Sequence, residues 1–178
     1  MQGKRINVKG CAIIEGVSRN NVLYLVEELS KSFKELINKP ILLDHDSKVM
    51  SICGKVESSE FLQNKIEYTG WITGDEIIER INDNRIDSVS IGAICDELTR
   101  DSEEDETMTA RGIHFLELSL VSCPGVPGAS IQKISQQQEK IWAGEKIKMT
   151  PLVEIFNIKE LDSSTVGKPK SEITVDGS

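Results

Sequence analysis

The pattern that decides the fold lies at residues 111–121, which read RGIHFLELSLV. Apolar side chains recur at alternate positions of this run, and that alternation predicts a β-strand. By the same alternation His114 shares a face with Leu116, Leu118 and Leu120, so we expect a core or partly buried histidine. Glu117 is the anomaly, because a carboxylate inside an apolar strand costs several kcal/mol unless a partner compensates it. A histidine is one natural partner; the alternative is an outward-facing glutamate paired with lysine or arginine.

The rest of the chain predicts more short strands than helices. Strands are expected at 8–14, 41–43, 51–56, 65–73 and 86–95, and helices at 22–37, shortly after 73, and at 129–143. Strands precede and follow the helices without regular alternation, which favours a mainly β (α+β) fold with peripheral helices around an antiparallel, barrel-like core. We expect one domain over residues 1–150, an extended arm or extra strand over 151–161, and a flexible polar tail over 162–178.

Composition excludes several classes of function. The 178 residues carry 21 Lys and Arg against 29 Asp and Glu, a net charge of −8, so the basic surface of a nucleic-acid binder is missing. No apolar run is long enough for a membrane span, and no signal peptide is evident, so a cytoplasmic protein is expected. No two of the four cysteines lie within four residues of each other, and there are only two histidines, so neither a metal site nor a cofactor is predicted. The cysteines are expected to be buried.

Three residue types that support nucleophilic catalysis lie in the predicted strands or directly after one. His45 follows an apolar strand between two aspartates, although Asp-His-Asp also suits a simple surface turn. Ser90 shares a strand face with Ser88 and with Gly92, which would leave its hydroxyl exposed and leave room for a substrate backbone. Together with Glu117 these residues suggest a serine, histidine and acid arrangement, in which the imidazole takes the serine proton and the carboxylate orients the imidazole.

Three segments, in order along the chain, carry a resemblance to a known family. They are Leu42-Leu43-Asp44-His45-Asp46 followed by Gly54-Lys55-Val56; Ser88-Val89-Ser90-Ile91-Gly92; and Leu116-Glu117-Leu118-Ser119-Leu120-Val121 followed by Pro124 and Ala129. The chain resembles the prohead (capsid) maturation proteases of tailed bacteriophages, which are similar in fold to the herpesvirus assemblin proteases. The resemblance covers about residues 8–131.

The resemblance implies a role for each matched residue. Ser90 matches the nucleophile, His45 the general base and Glu117 the third member. Ser88 stands where the family usually has glycine, so Ser88 remains an alternative nucleophile. The herpesvirus relatives have a histidine in place of Glu117, which keeps His114 open as an alternative third member.

The residues that would stabilise the oxyanion are less clearly matched. The arginine that the herpesvirus proteases carry after this strand has no counterpart between Pro124 and Gly128. Gly125 and Gly128 would instead let backbone N–H groups approach the reacting carbonyl.

The resemblance also implies function and partners. We expect a serine endopeptidase that cleaves scaffold and major capsid protein precursors in the host cytoplasm, inside the assembling prohead. Self-cleavage after Glu160 or Glu154 is expected, a homo-oligomer is compatible with this function, and no nucleic acid or membrane partner is expected. The alternatives are an inactive capsid assembly or scaffold protein of the same fold, a cysteine hydrolase that uses Cys95 or Cys123 with a histidine, and a host binding domain.

Overall fold

The computed structural model describes residues 4–100, 102 and 106–134. The predicted arm at 151–161, the predicted tail at 162–178 and both predicted self-cleavage positions lie outside the described residues. Within the described part, no helix is long and apolar enough to cross a membrane.

Most of the described chain forms one mixed sheet. Its strands are β1 (Arg5–Ile14), β2 (Gly16–Val17), β3 (Val22–Tyr24), β4 (Pro40–Leu43), β5 (Ile52–Leu62), β6 (Lys65–Thr73), β7 (Ser88–Thr99), β8 (Met108–Val121) and β9 (Gln132–Lys133). The strand order is β2-β3-β8-β4-β5-β6-β1-β9, and β7 also pairs with β8. β7 occupies one edge of β8 along most of its length, so β3 and β4 share the other edge.

The predicted mainly β fold with peripheral helices is confirmed, with one correction to the core. The sheet is open and mixed rather than a closed antiparallel barrel, because β3 and β4 both run parallel to β8. The remaining strand pairs are antiparallel.

The helices are shorter than the sequence predicts. They are α1 (Val26–Ser32), which continues into a 3₁₀ helix (Phe33–Leu36), a second 3₁₀ helix (Val49–Ser51) and α2 (Asp75–Asn82). The predicted helix at 22–37 is therefore wrong at its start. Residues 22–24 form β3 instead, where Leu23 pairs with both Val17 and Thr109, and a sheet partner on each side outweighs the helical spacing of the apolar residues.

The predicted helix at 129–143 is also wrong over its described part. Gln132 and Lys133 form β9 beside β1, and the backbone N–H of Ser130 donates to the Cys11 carbonyl at 2.8 Å. A Cβ at Gly10 would lie 1.8 Å from the Ser130 carbonyl oxygen, so this segment packs directly on the backbone of β1. The remaining residues of that predicted helix lie outside the described part.

A single apolar core holds the sheet and helices together. Its fully buried members come from both halves of the described chain and include Tyr68, Phe115, Ile13, Leu29, Leu36, Ile41, Ile66, Ile72, Ile78 and Leu118. Because β8 contributes to this core and also lies between β4 and β7, its side chains are held rigidly where the predicted site residues meet.

Candidate active site

Two of the predicted site residues lie on the neighbouring strands β7 and β8, and His45 lies in the turn that follows β4; all three approach Ser119. In β8, Ser119 is paired with Leu42 of β4 on one side and with Ser90 of β7 on the other. Residues directly opposite each other in a sheet project to the same side with their Cβ atoms about 5 Å apart. The pairing therefore places Ser90 beside Ser119, and His45 three residues past Leu42.

A bulge in β8 directs Glu117 away from the core. Gly92 pairs with Glu117, but the next residue, Ala93, pairs with Phe115, so Leu116 is an extra residue in β8. An extra residue shifts the alternation of side chains by one position. Phe115 and Leu118 can therefore both be fully buried in the core, while Glu117 and Ser119 project from the opposite face.

His45 is held in an uncommon backbone conformation. Both Asp44 and His45 have positive φ angles, 48° and 56°. Residues other than glycine adopt this region at a cost of about 1–3 kcal/mol each, and they persist only where surrounding contacts enforce it. Here the Asp44 N–H donates to the Leu120 carbonyl at 3.0 Å, and the His45 N–H donates to Ser119 Oγ at 3.2 Å.

Asp46 stabilises the loop from the other side of His45. Its carboxylate accepts hydrogen bonds from the Ser51 hydroxyl at 2.7 Å and from the Lys48 N–H at 3.2 Å. The Ser51 hydroxyl, followed by the Lys48 N–H, lowers the pKa of the Asp46 carboxyl below its ordinary value of 3.8. The two aspartates that flank His45 thus shape the loop, and neither contacts the imidazole in the described structure.

The imidazole and the carboxylate form a close pair. His45 Nδ1 lies 2.6 Å from Glu117 Oε1, and the Ser119 hydroxyl donates to Glu117 Oε2 at 2.5 Å. The Glu117 side chain is 11% exposed and that of His45 is 43% exposed. A carboxylate accepts hydrogen bonds, so Nδ1 carries the proton donated to Glu117, and in the neutral imidazole Nε2 keeps its lone pair. The predicted histidine partner for Glu117 is therefore His45.

Gly92 makes room for this pair. A Cβ at Gly92 would lie 2.1 Å from Glu117 Oε1 and 2.7 Å from Glu117 Cδ. The expected space beside Gly92 is thus occupied by the Glu117 carboxylate rather than left for a substrate backbone. Gly92 is required because the carboxylate lies against the β7 backbone.

Ser90 lies beside a small cavity and is more buried than predicted. It is only 9% exposed, because Gly125 and the residues around it cover β7 at this point. Within the described residues its hydroxyl makes no hydrogen bond, and a Cβ at Gly125 would lie 3.2 Å from Ser90 Oγ. The alternative nucleophile Ser88 lies two residues away, where its hydroxyl donates to Asp87 at 2.7 Å.

The two glycines predicted to support the oxyanion lie in different surroundings. Gly125 lies next to the Ser90 hydroxyl, and its carbonyl accepts the Arg19 N–H at 2.9 Å. Gly128 has a φ of 93°, and a Cβ there would lie 2.8 Å from Ile14 Cδ1, so its small size serves a turn packed on Ile14. The described contacts therefore favour Gly125 over Gly128 as a backbone donor near Ser90.

His114 is not a core residue. Its side chain is 45% exposed and bridges Glu35 and Asp96, each at 3.2 Å. The Glu35 carboxylate, followed by Asp96, raises the pKa of His114 above its ordinary value of 6.5. The prediction was wrong because the bulge at Leu116 separates His114 from the alternation of Leu118 and Leu120.

The thiols lie apart from both histidines. Cys11 and Cys53 are buried as predicted, and burial raises the pKa of the Cys53 thiol to about 12. The prediction of burial is wrong for the other two thiols, because Cys95 is only half-buried on the core face of β7 opposite Ile113 and Cys123 is exposed in the loop after β8. Neither Cys95 nor Cys123 contacts a histidine in the described part of the chain, which gives the cysteine hydrolase alternative no support.

Two residues that contribute to this site were not predicted from the sequence. Ser119 links His45 and Glu117 through both of its hydrogen bonds, and its position two residues after Glu117 on one strand face was the available signal. Arg19, in the loop between β2 and β3, contacts the segment that covers Ser90. No sequence pattern connects residues 19 and 123.

Comparison with known proteins identifies the fold. No protein-family model and no curated protein sequence matches the chain. Among solved structures, KSHV protease in complex with a hexapeptide phosphonate inhibitor aligns with a TM-score of 0.51 and 15% identity, over 79% of this chain and 75% of that one. Varicella-zoster virus protease aligns with a TM-score of 0.51 and 12% identity, over 86% and 78%. The predicted similarity to the herpesvirus assemblin proteases is thus confirmed at the level of the fold.

Proposed function

We propose that this chain is a serine endopeptidase in which Ser90 is the nucleophile, His45 the general base and Glu117 the residue that orients His45. The observation that carries the proposal is the short contact from His45 Nδ1 to Glu117 Oε1, with the second Glu117 oxygen bound by Ser119. This arrangement fixes the imidazole tautomer and leaves Nε2 available to accept a proton. The fold shared with two viral proteases supports the same reading.

The proposed reaction follows from these positions. His45 Nε2 takes the proton from Ser90 as Oγ attacks the carbonyl carbon of the peptide bond. The carbonyl oxygen becomes an oxyanion, which backbone N–H groups at Gly125 and Val126 would stabilise; neither N–H has an acceptor within the described residues. His45 then returns the proton to the leaving amine, and water hydrolyses the acyl-enzyme by the same route.

The nucleophile and the imidazole are not joined by a direct hydrogen bond in the part of the chain that the structure describes. Within the described residues, no hydrogen bond connects Ser90 Oγ to His45. Catalytic hydrogen bonds are often long in the absence of substrate and shorten when it binds. We therefore expect the contact from Ser90 to His45 to form when a peptide fills the cavity.

β7 offers a surface for an extended peptide. Apart from a single bridge between Ser88 and Ser130, its outer edge has no strand partner within the described residues. An unpaired edge can hold a peptide by backbone hydrogen bonds, which suits an enzyme that cuts within polypeptide chains. A peptide lying along β7 would pass Ser90, and this supports endopeptidase activity.

For the biological substrates, we propose scaffold and major capsid protein precursors of a tailed phage, cleaved inside the assembling prohead. The motif order of the three site segments supports this proposal, and the acidic net charge of −8 fits a protein that does not need to bind DNA. Slow self-cleavage after Glu160 or Glu154 belongs to the same proposal. The intact mass of the active protein after long incubation tests it: loss of the C-terminal segment is expected, and Ser90→Ala should keep its full mass.

The experiment for the enzymatic proposal is reaction with an uncharged alkyl fluorophosphonate, followed by peptide mass mapping. We expect one adduct on Ser90 in the wild-type protein, the same adduct in Ser88→Ala, and none in Ser90→Ala. Alkylation with iodoacetamide serves as the control for the thiols and should leave fluorophosphonate labelling unchanged. An unlabelled wild-type protein that still binds capsid precursor would favour an inactive assembly protein instead.

A further inference from the structure

The segment that covers Ser90 is held by one residue that is distant in the sequence and lies in the loop between β2 and β3. Cys123, Pro124 and Gly125 follow β8 without regular secondary structure. Within the described residues, both polar contacts to this segment come from Arg19. Its backbone N–H donates to the Gly125 carbonyl at 2.9 Å, and its guanidinium contacts Cys123 Sγ across 104 positions of sequence.

Arg19 is itself fixed by a tight turn. The Asn21 N–H donates to the Ser18 carbonyl at 3.0 Å, which makes Arg19 and Asn20 the central residues of a β-turn. Asn21 follows with a φ of 56°, as in three-residue hairpin loops built on a type I turn. The Ser18 N–H donates to the Val22 carbonyl at 2.8 Å and closes the loop.

This anchor sets the direction of an amide next to the nucleophile. A peptide group is planar and trans, so fixing the Gly125 carbonyl also fixes the Val126 N–H on the opposite side of the same plane. A Cβ at Gly125 would lie 3.2 Å from Ser90 Oγ, and Ser18, Asn20, Gly125 and Val126 all line the cavity beside Ser90. The anchored amides therefore border the space in which the reacting carbonyl must lie.

We propose that Arg19 is a positioning residue, which holds the 123–125 segment so that the N–H groups of Gly125 and Val126 face the oxyanion formed at Ser90. This inference rests on the proposed serine endopeptidase function. Arg19 acts through Gly125 and Cys123 and does not touch the reacting atoms. The 123–125 segment has no strand or helix of its own. The contacts from Arg19 in the β2–β3 loop therefore fix its conformation.

The two contacts can be removed separately. Proline is favoured at the first central position of a type I turn, so Arg19→Pro deletes the N–H donated to Gly125 and keeps an allowed turn. Arg19→Ala removes the guanidinium and keeps the N–H, Arg19→Lys restores a cation, and Cys123→Ala removes the sulfur. Arg5→Ala is the matched control, because its guanidinium contacts Glu57 and Trp71 rather than the loop after β8.

The measurement is the reaction of each full-length variant with the alkyl fluorophosphonate, analysed as the maximal rate of inactivation and the apparent binding constant. Loss of one oxyanion donor costs about 10²–10³-fold in rate. In Arg19→Pro the donor is misplaced rather than lost, so we expect the inactivation rate to fall by about 10–100-fold. The binding constant should change by less than about twofold. Arg19→Ala should lose about threefold to tenfold and Arg19→Lys should recover most of that loss. Arg5→Ala should match wild type.

The outcomes separate the two proposals. Wild-type labelling at Ser90 with unchanged inactivation rates in Arg19→Pro and Arg19→Ala would overturn the positioning role and leave the enzymatic proposal intact. Absence of labelling in the wild-type protein would overturn both. If Arg19→Pro does not fold, as judged from its thermal unfolding, the comparison of Arg19→Ala with Arg19→Lys decides: a rate loss rescued by lysine supports the role, and equal rates refute it.

Discussion

Replacing Gly92 by alanine adds one methyl group where the Glu117 carboxylate lies against β7. The new Cβ would stand 2.1 Å from Glu117 Oε1, whereas real Cβ atoms essentially never approach another heavy atom closer than 3.0 Å. Gly92 does not have a positive φ, so alanine suits its backbone. The strain therefore falls on the carboxylate, which is the flexible end of a side chain.

The displacement is large enough to break the contact with His45. Oε1 must retreat by about 0.9 Å, and a retreat directly away from His45 would stretch the 2.6 Å contact to about 3.5 Å, the outer limit of a hydrogen bond. A misplacement of about 1 Å in a catalytic arrangement costs about 10²-fold in rate. We expect Gly92→Ala to lower the rate of fluorophosphonate inactivation by about that factor. Stability should change little, because alanine also reduces the conformational freedom of the unfolded chain.

The assay combines this rate with thermal unfolding and a double-mutant cycle. Glu117→Gln removes the charge that orients His45, so adding Gly92→Ala to it should cost little further rate. Gly54→Ala is the matched control, because its Cβ would lie 2.1 Å from the Trp71 carbonyl oxygen in β6. We expect that variant to be less stable but to react normally while folded.

Two results would refute this reasoning about Gly92. One is a Gly92→Ala rate within about threefold of wild type. A factor of ten in rate corresponds to about 1.4 kcal/mol, so a threefold loss would be too small for a broken contact between Glu117 and His45. The other is a full additional loss when Gly92→Ala is combined with Glu117→Gln, because independent effects would mean that Gly92 does not act through Glu117.

Three further predictions concern the pH dependence, the linking serine and the core. His114→Gln should lower the melting temperature at about pH 5 and have less effect at about pH 9. The raised pKa means that protonated His114 stabilises the folded protein. This contribution is complete below the ordinary pKa of histidine and is lost as the pH rises through the raised pKa. Ser119→Ala should lower the inactivation rate about tenfold while the adduct stays on Ser90. The reason is that the His45 N–H and Glu117 each lose a hydrogen bond worth about 1–3 kcal/mol when buried. An adduct that disappears in this variant would point to Ser119 as the nucleophile. Leu118→Ala should lower the free energy of unfolding by about 2–5 kcal/mol in urea titrations because Leu118 is fully buried, and an unchanged midpoint would contradict its place in the core.

The sequence predicted that Glu117 needs a partner, because burial of a charge without one is costly, and it left histidine and a lysine or arginine as the two candidates. The structure supplies that partner in His45. It did not predict the face of His114, because alternation holds only within an unbroken strand and one extra residue at Leu116 reverses it. A bulge depends on the register with the neighbouring strand, which local sequence does not encode.

The error at residues 22–37 has a similar origin. Apolar residues spaced by threes and fours fit a helix over the whole run, and α1 does occupy Val26–Ser32. The first three residues instead take sheet partners in β2 and β8, the latter more than 80 positions away. Tertiary pairing of this kind overrides local propensity, and the same applies to the contact from Arg19 to the 123–125 segment.

The measurement that tests the central proposal most directly is a crystal structure of the protein after reaction with the fluorophosphonate. The proposal predicts a covalent bond between phosphorus and Ser90 Oγ, with His45 Nε2 within about 3 Å of an adduct oxygen or of Ser90 Oγ. It also predicts that the phosphonyl oxygen accepts a hydrogen bond from the Gly125 or Val126 N–H. Phosphorus bound to Ser88, Ser119 or Cys123, or an unmodified Ser90, would contradict it.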